Sequence, residues 1–456
     1  MSRMNKTVCR HFSIAMFGLA LSAPAQTKTC NVQAIQYKGW NAQQISNAWV
    51  KLTLVPQLGG RLMQVVFDGH SYLFVNPQFE GKYISPEEAA GKWINYGGDK
   101  IWPMPEGDKD EQHWMLESST LDDAPYAFKV IEQSAHCTVE LAGPTDEKTG
   151  IQYTRQISID ADSPAIHFHA IMRNATAHTL RWSMQSVSQY DLSSAKHTGE
   201  HNRDFWAYTP VRSDPAYLEG FHVRSGLADD PSFSIENDLF RLHWMYLQNE
   251  VWIDSPGGWL AVADGESGFG MIERFDFDPV ATYPGKASVI FYKNGPSIQF
   301  NDAGQPTLSA HKSLETPYYM EAEINSPLIT LKAGATYAMD TTWFPVRTSA
   351  AIQQITEAGI VIRRLHAVID KSELKLTGSF SVVVPGQLQL RVFNANGRDV
   401  KHISLDTVIP SQPVTLNRTV PVDFLVSRVS LHLLDENGKD WGLLDEFTTK
   451  HSGGEQ

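Results

Sequence analysis

No Cys-x-x-Cys pair occurs in this chain, which excludes a zinc ribbon and a thioredoxin-like redox motif. No G-x-S-x-G, no P-loop and no dinucleotide-binding glycine fingerprint is present, so three common routes to hydrolase, nucleotide and nicotinamide chemistry are closed. No apolar run approaches the ~20 residues a membrane-spanning helix needs. Positive charge is in deficit: 38 Lys and Arg face 51 Asp and Glu, a formal net charge of −13. Such a surface repels nucleic acid and anionic membranes. A neutral ligand would not feel it. No motif calls for a cofactor.

Cysteine is scarce, with three in 456 residues. Cys9 lies in an N-terminal segment that reads as a signal peptide over residues 1–25. Arg3, Lys6 and Arg10 form its basic region, Phe12 to Leu21 its apolar stretch, and Ala23-Pro24-Ala25 its cleavage site. No cysteine follows the apolar stretch where a lipobox needs one. The expected product is periplasmic or secreted, beginning near Gln26. Cys30 and Cys137 then remain in an oxidising compartment, as a disulfide or as two buried thiols.

Helical patterns are also few. Ser85-Pro86-Glu87-Glu88 is a capping box with proline at the first helical position. Residues 348–365 place Ile352, Ile355, Gly359 and Ile362 on one face and predict a linking helix. Everything else alternates as strands do, with Thr, Val, Ile and aromatics between turn signals. Asp68-Gly69 marks a hairpin. Leu374, Leu376, Phe380, Val382, Leu388, Leu390 and Val392 alternate in a segment whose spacing fits an immunoglobulin-like sandwich. The reading is all-β: a large antiparallel domain over 26–347, a linking helix over 348–365, a small sandwich over 366–449 and a disordered tail over 450–456.

The densest polar cluster is Asn95-Tyr96-Gly97-Gly98-Asp99-Lys100-Ile101-Trp102-Pro103. Glycines permit close backbone approach. Aromatic faces beside a few polar groups suit a polyhydroxylated ligand. His167-Phe168-His169 puts two imidazoles on one strand face without a third metal ligand, and Asp108-Lys109-Asp110-Glu111 is acidic without a calcium-loop pattern.

Taken in order with Gly59-Gly60-Arg61-Leu62, Phe74-Val75-Asn76-Pro77, Gly150-Ile151-Gln152-Tyr153-Thr154-Arg155 and Tyr319-Met320-Glu321-Ala322-Glu323, that cluster resembles an uncharacterised bacterial family with the galactose mutarotase-like fold. The resemblance covers residues 48 to 345. It implies a large β-supersandwich with a sugar-sized groove. Aldose 1-epimerases of this wider superfamily use a late-strand Glu as base and a middle-strand His as acid. The matching late strand offers Glu321 and Glu323, two apart and therefore on one face. The middle strand offers Gln185 where the His is expected, and a glutamine cannot act as a general acid. Lys100 is the substitute acid. Arg61, Asn76, Asn95, Asp99, Trp102, Gln185 and Tyr283 are expected to bind the sugar. Three readings stay open: a sugar epimerase, a non-catalytic carbohydrate-binding protein, and a polysaccharide lyase or hydrolase on the same fold, the lyase needing Arg61 and Lys100 to receive a uronate. The small sandwich is expected to serve as a docking module or spacer.

Overall fold

The structure, a computed structural model, describes residues 29–106, 114, 117, 119–301, 303, 305–309, 317–370 and 372–449. The expected signal peptide, the acidic segment Asp108 to Glu111 and the tail 450–456 lie outside the described residues. Among the described residues no helix is long and apolar enough to cross a membrane.

Alternation builds the large domain. The strand Ile151–Asp160 buries every second residue, from Ile151 through Tyr153, Arg155 and Ile157 to Ile159. Its sheet has ten strands, and a twelve-stranded sheet faces it. One apolar core joins the two, including Leu52, Val65, Ile157, Phe168, Met184, Phe291 and Trp343. The expected fold class, a large antiparallel supersandwich followed by a small β-sandwich, is what forms. A disulfide between Cys30 and Cys137 links the entry to the first strand, Asn31–Tyr37, with the strand His136–Ala142 of the ten-stranded sheet.

The capping box at Ser85 is complete and opens the short helix Pro86–Ala89. The linking helix over 348–365 does not exist. Gln354–Thr356 and Gly359–Asp370 are strands, and Gly359–Asp370 pairs along Glu373–Val382. The run Ile360-Val361-Ile362 explains the reversal: β-branched side chains lose rotamer freedom in a helix and pack well on a pleated surface. The small sandwich thus begins earlier than its alternating leucines indicate. It has two four-stranded sheets closed over Leu374, Leu376, Phe380, Leu388, Leu390, Leu431 and Leu433.

One carboxyl group is sealed between the two large sheets. Glu273 is 1% exposed, and Ser188 Oγ and Tyr190 Oη both donate to its Oε1. Burial pushes its pKa from 4.5 up to about 8. The folded protein therefore holds a proton that the unfolded chain has already released. Stability falls as pH rises from about 4.5 through about 8, by up to ~1.4 kcal/mol per pH unit. Glu273→Gln should flatten this slope in denaturant melts between pH 5 and 9. Parallel curves for the two proteins would show that Glu273 is not the titrating group.

Candidate functional site

The strand Asp99–Met104 pairs with Leu180–Asp191, which pairs with Tyr319–Asn325, then Val289–Lys293, then Asn249–Ile253. Register decides which side chains share the outer face of this sheet. Gln189 lies opposite Glu321, Glu321 opposite Tyr292, and Tyr292 opposite Glu250. Lys100 lies opposite Val187 and Val187 opposite Glu323, while Trp102 lies opposite Gln185. Because side chains alternate along a strand, these rows stand on one face, turned away from the inter-sheet core.

This face opens on a cavity of about 220 Å³, bounded by Trp93, Trp102, Met104, Glu106, Gln185, Ser225, Gln248, Glu250, Ile290, Tyr292, Tyr319, Glu321 and Glu323. At ~30 Å³ per water it has room for about seven waters, the scale of one sugar ring. Four carboxyl groups and four aromatic rings converge on it.

Glu321 and Glu323 share the face expected of them but not the environment. Glu321 Oε1 accepts from Lys100 Nζ at 3.1 Å and from Gln189 Nε2 at 2.6 Å. Glu323 Oε2 accepts from Gln185 Nε2 at 2.5 Å. Burial first, then Glu321, Glu250 and Glu106, push the Glu323 carboxyl well above its ordinary range. Burial likewise raises Glu106 to about 7, with Glu250 and Glu321 adding to the shift, and raises Glu250. Glu250 accepts from Trp252 Nε1, and Ser225 Oγ donates to it at 3.5 Å. Gln185 is 1% exposed, and among the described residues its Oε1 has no partner.

Lys100 is not free to act as the acid. It is 2% exposed, bonded to Glu321, and lies 4.2 Å from the Trp102 ring centre and 5.4 Å from that of Trp93. Burial lowers its pKa, and Glu321 opposes that shift.

Five of the expected sugar-binding residues do not line the cavity. Asp99 alternates with Lys100 and so points into the inter-sheet core, where Arg155 from the opposite sheet pairs with it. Arg61 is fully buried and pairs with Asp122 at 2.7 Å. Asn76 caps the turn Pro77–Phe79 through a bond from Gln78 N, and its Nδ2 donates to Asn95 O. Asn95 Oδ1 accepts from Gly97 N at 3.1 Å. Tyr283 stacks on Phe277 and accepts from Asp278 N. The two glycines serve the fold as well: a Cβ on Gly97 would fall 2.2 Å from Phe74 O, and one on Gly98 2.7 Å from Leu62 O. What approaches them is neighbouring backbone. His167 and His169 bond to Thr342 and Asp340 respectively, and among the described residues no three His, Cys, Asp or Glu side chains are arranged to hold a metal.

The sequence reading missed Glu106, Glu250, Trp93, Tyr292, Tyr319 and Asp122. Asp122 belongs to the short helix Thr120–Asp123. Its Oδ1 accepts from Trp102 Nε1 at 2.9 Å and from Arg61, and its Oδ2 accepts from Trp93 Nε1 at 3.2 Å. One carboxylate thus pins both tryptophans of the cavity wall, and Arg61 neutralises it. Glu106 was within reach of sequence reasoning, two residues past the end of the motif strand at Met104. Glu250 carries no local signal; only register brings it beside Tyr292.

No protein-family model matches the chain, and no curated protein matches it. Among solved structures it is similar to a galactose mutarotase-like protein from Clostridium acetobutylicum, at 8% identity over 70% of this chain and 100% of that one, with a TM-score of 0.44. It is similar to a galactose mutarotase-like protein from Lactobacillus casei, at 13% identity over 69% of this chain and 99% of that one, with a TM-score of 0.40. It is also similar to a TPR-domain containing protein from Parabacteroides distasonis, at 12% identity and a TM-score of 0.44 over 67% of this chain, and spans about half (47%) of that protein's length. These are likenesses of fold at low identity, and they decide nothing about substrate or reaction.

Proposed function

We propose that this is an exported carbohydrate-recognising protein that interconverts the anomers of a monosaccharide carrying no negative charge. The observation that carries the reading is a ring-sized cavity in which two neighbouring carboxyl groups have unlike surroundings. Glu321 receives hydrogen bonds from an ammonium and an amide, both suited to a carboxylate. Glu323 is held protonated by burial and by its acidic neighbours. Carboxyls set apart in this way divide into base and acid. Glu321 takes the proton of the anomeric hydroxyl. The C1–O5 bond breaks as the C1 carbonyl forms, and Glu323 delivers its proton to O5. Rotation of the aldehyde and the reverse steps close the other anomer. Glu323 thereby fills the acid role that Gln185 cannot.

The uronate lyase reading loses its support, because Arg61 and Lys100 are committed to Asp122 and Glu321. A cavity of about 220 Å³ also suits one ring better than a polymer. The Cys30–Cys137 disulfide fits an oxidising compartment, and with the basic, apolar and small-residue order of residues 1–25 it supports export.

Polarimetry tests the reaction. Freshly dissolved aldoses should reach rotational equilibrium faster in proportion to added protein. A sugar that binds by calorimetry but equilibrates at the buffer rate would reduce the reading to non-catalytic binding.

A further inference from the structure

We propose that the sugar taken by this cavity is an amino sugar, its protonated amine received by Glu106 and Glu250 beside the aromatic wall. The proposal rests on the carbohydrate reading above and names the substrate class within it.

A count of charges and hydrogen-bonding groups carries it. Four carboxyl groups line the cavity. Among the described residues two cations act on them. Lys100 is bonded to Glu321. Arg224 sits on the exposed strand His222–Ser225, 5.9 Å from the Trp252 ring, and acts on Glu106 and Glu250 only through space. The unused capacity of the wall is acceptor capacity: the carboxyl oxygens of Glu106 and Glu250, and Gln185 Oε1, buried and among the described residues without a partner. An ammonium group offers three donors and no acceptor, so it matches this surplus, whereas a hydroxyl brings one donor and two lone pairs. Trp93, Trp102, Tyr292 and Tyr319 add ring faces that attract a cation and cover the apolar side of a sugar ring.

The titration behaviour agrees. Without a cation, burial and the neighbouring carboxyl groups raise Glu106 to about 7 and raise Glu250. Tyr292 and Tyr319 are also raised by burial and stay neutral. A bound ammonium replaces protons on Glu106 and Glu250, so binding at neutral pH should release them, while Glu323 keeps the proton it delivers to O5. A neutral sugar has no such reason to do so.

Isothermal calorimetry on the purified protein tests this with glucosamine, galactosamine and mannosamine against their parent hexoses and N-acetyl derivatives. At least one amino sugar should bind ~10-fold or more tightly than its parent, equivalent to about 1.4 kcal/mol. Its binding heat should vary with the ionisation heat of the buffer in the sense of proton release. Glu250→Gln should lower the ratio of amino-sugar to parent affinity, a change that a merely structural role would not produce. If parent or N-acetyl sugars bind as tightly as the amines, the amine assignment falls and the carbohydrate reading stands. If none of the sugars binds, both fall. If calcium chloride alone binds more tightly than every amino sugar, the pocket is a metal site and the proposal is overturned.

Discussion

Asp122→Ala should lower the unfolding free energy by about 3–5 kcal/mol, the usual cost of removing one partner from a buried ion pair. Arg61 is fully buried and would keep its charge. Asp123 Oδ1, 3.8 Å from the guanidinium, gives only partial compensation. The change also reaches the cavity, because Trp102 Nε1 and Trp93 Nε1 both lose their acceptor. Two indoles that stand against Lys100 are then free to turn, and sugar affinity should fall with stability. Denaturant melts measure the first effect and calorimetry the second. Asp122→Asn separates them. It keeps an acceptor oxygen for Arg61 and Trp102 but turns an amide donor toward the Trp93 N–H, so it should be milder in stability yet still loosen the wall. Unchanged stability in Asp122→Ala would mean that the Arg61 network is not what holds this corner.

Glu321→Gln should reduce the anomerisation rate ~10²–10⁴-fold, the range expected when a positioned general base is removed. An amide of the same shape still accepts from Gln189 but cannot take the anomeric proton. The substitution leaves the Lys100 ammonium buried opposite a neutral group, so stability should fall too. Adding Lys100→Met separates the two losses: the double variant should recover much of the stability and none of the rate. Polarimetry and melts on the two variants form the test. A double variant that regains activity would place the base elsewhere. Glu323→Gln should also slow the reaction, by removing the proton meant for O5, while Glu106 and Glu250 keep the cavity acidic.

Much of the architecture is legible because it repeats locally. Alternation in Ile151–Asp160 and in the leucines of the small sandwich follows from the two-residue period of a strand. The capping box at Ser85 is legible because its bonds join residues three apart. The segment 348–365 misleads for a related reason. Its apolar spacing satisfies a helix, while the β-branched run Ile360-Val361-Ile362 and the partner strand Glu373–Val382 favour a sheet. That partner is invisible to a short window.

The motif around Lys100 shows the same division. The sequence by itself determined that Glu321 and Glu323 share a strand face, since alternation needs no partner; that Lys100 and Trp102 do so too was shown by the strand Asp99–Met104. It also determined that Gln185 cannot replace an acidic histidine. Only the tertiary structure decided that Asp99 belongs to the core and Arg61 to the tryptophan clamp, and that Glu106 and Glu250 complete an acidic cavity. Those outcomes depend on cross-strand register and on which sheet faces which. The residues that meet, Lys100 with Glu321 and Glu250 with Tyr292, are far apart along the chain. Their side chains meet only after folding brings them out of water together, and that burial is what separates Glu323 from an ordinary carboxylate.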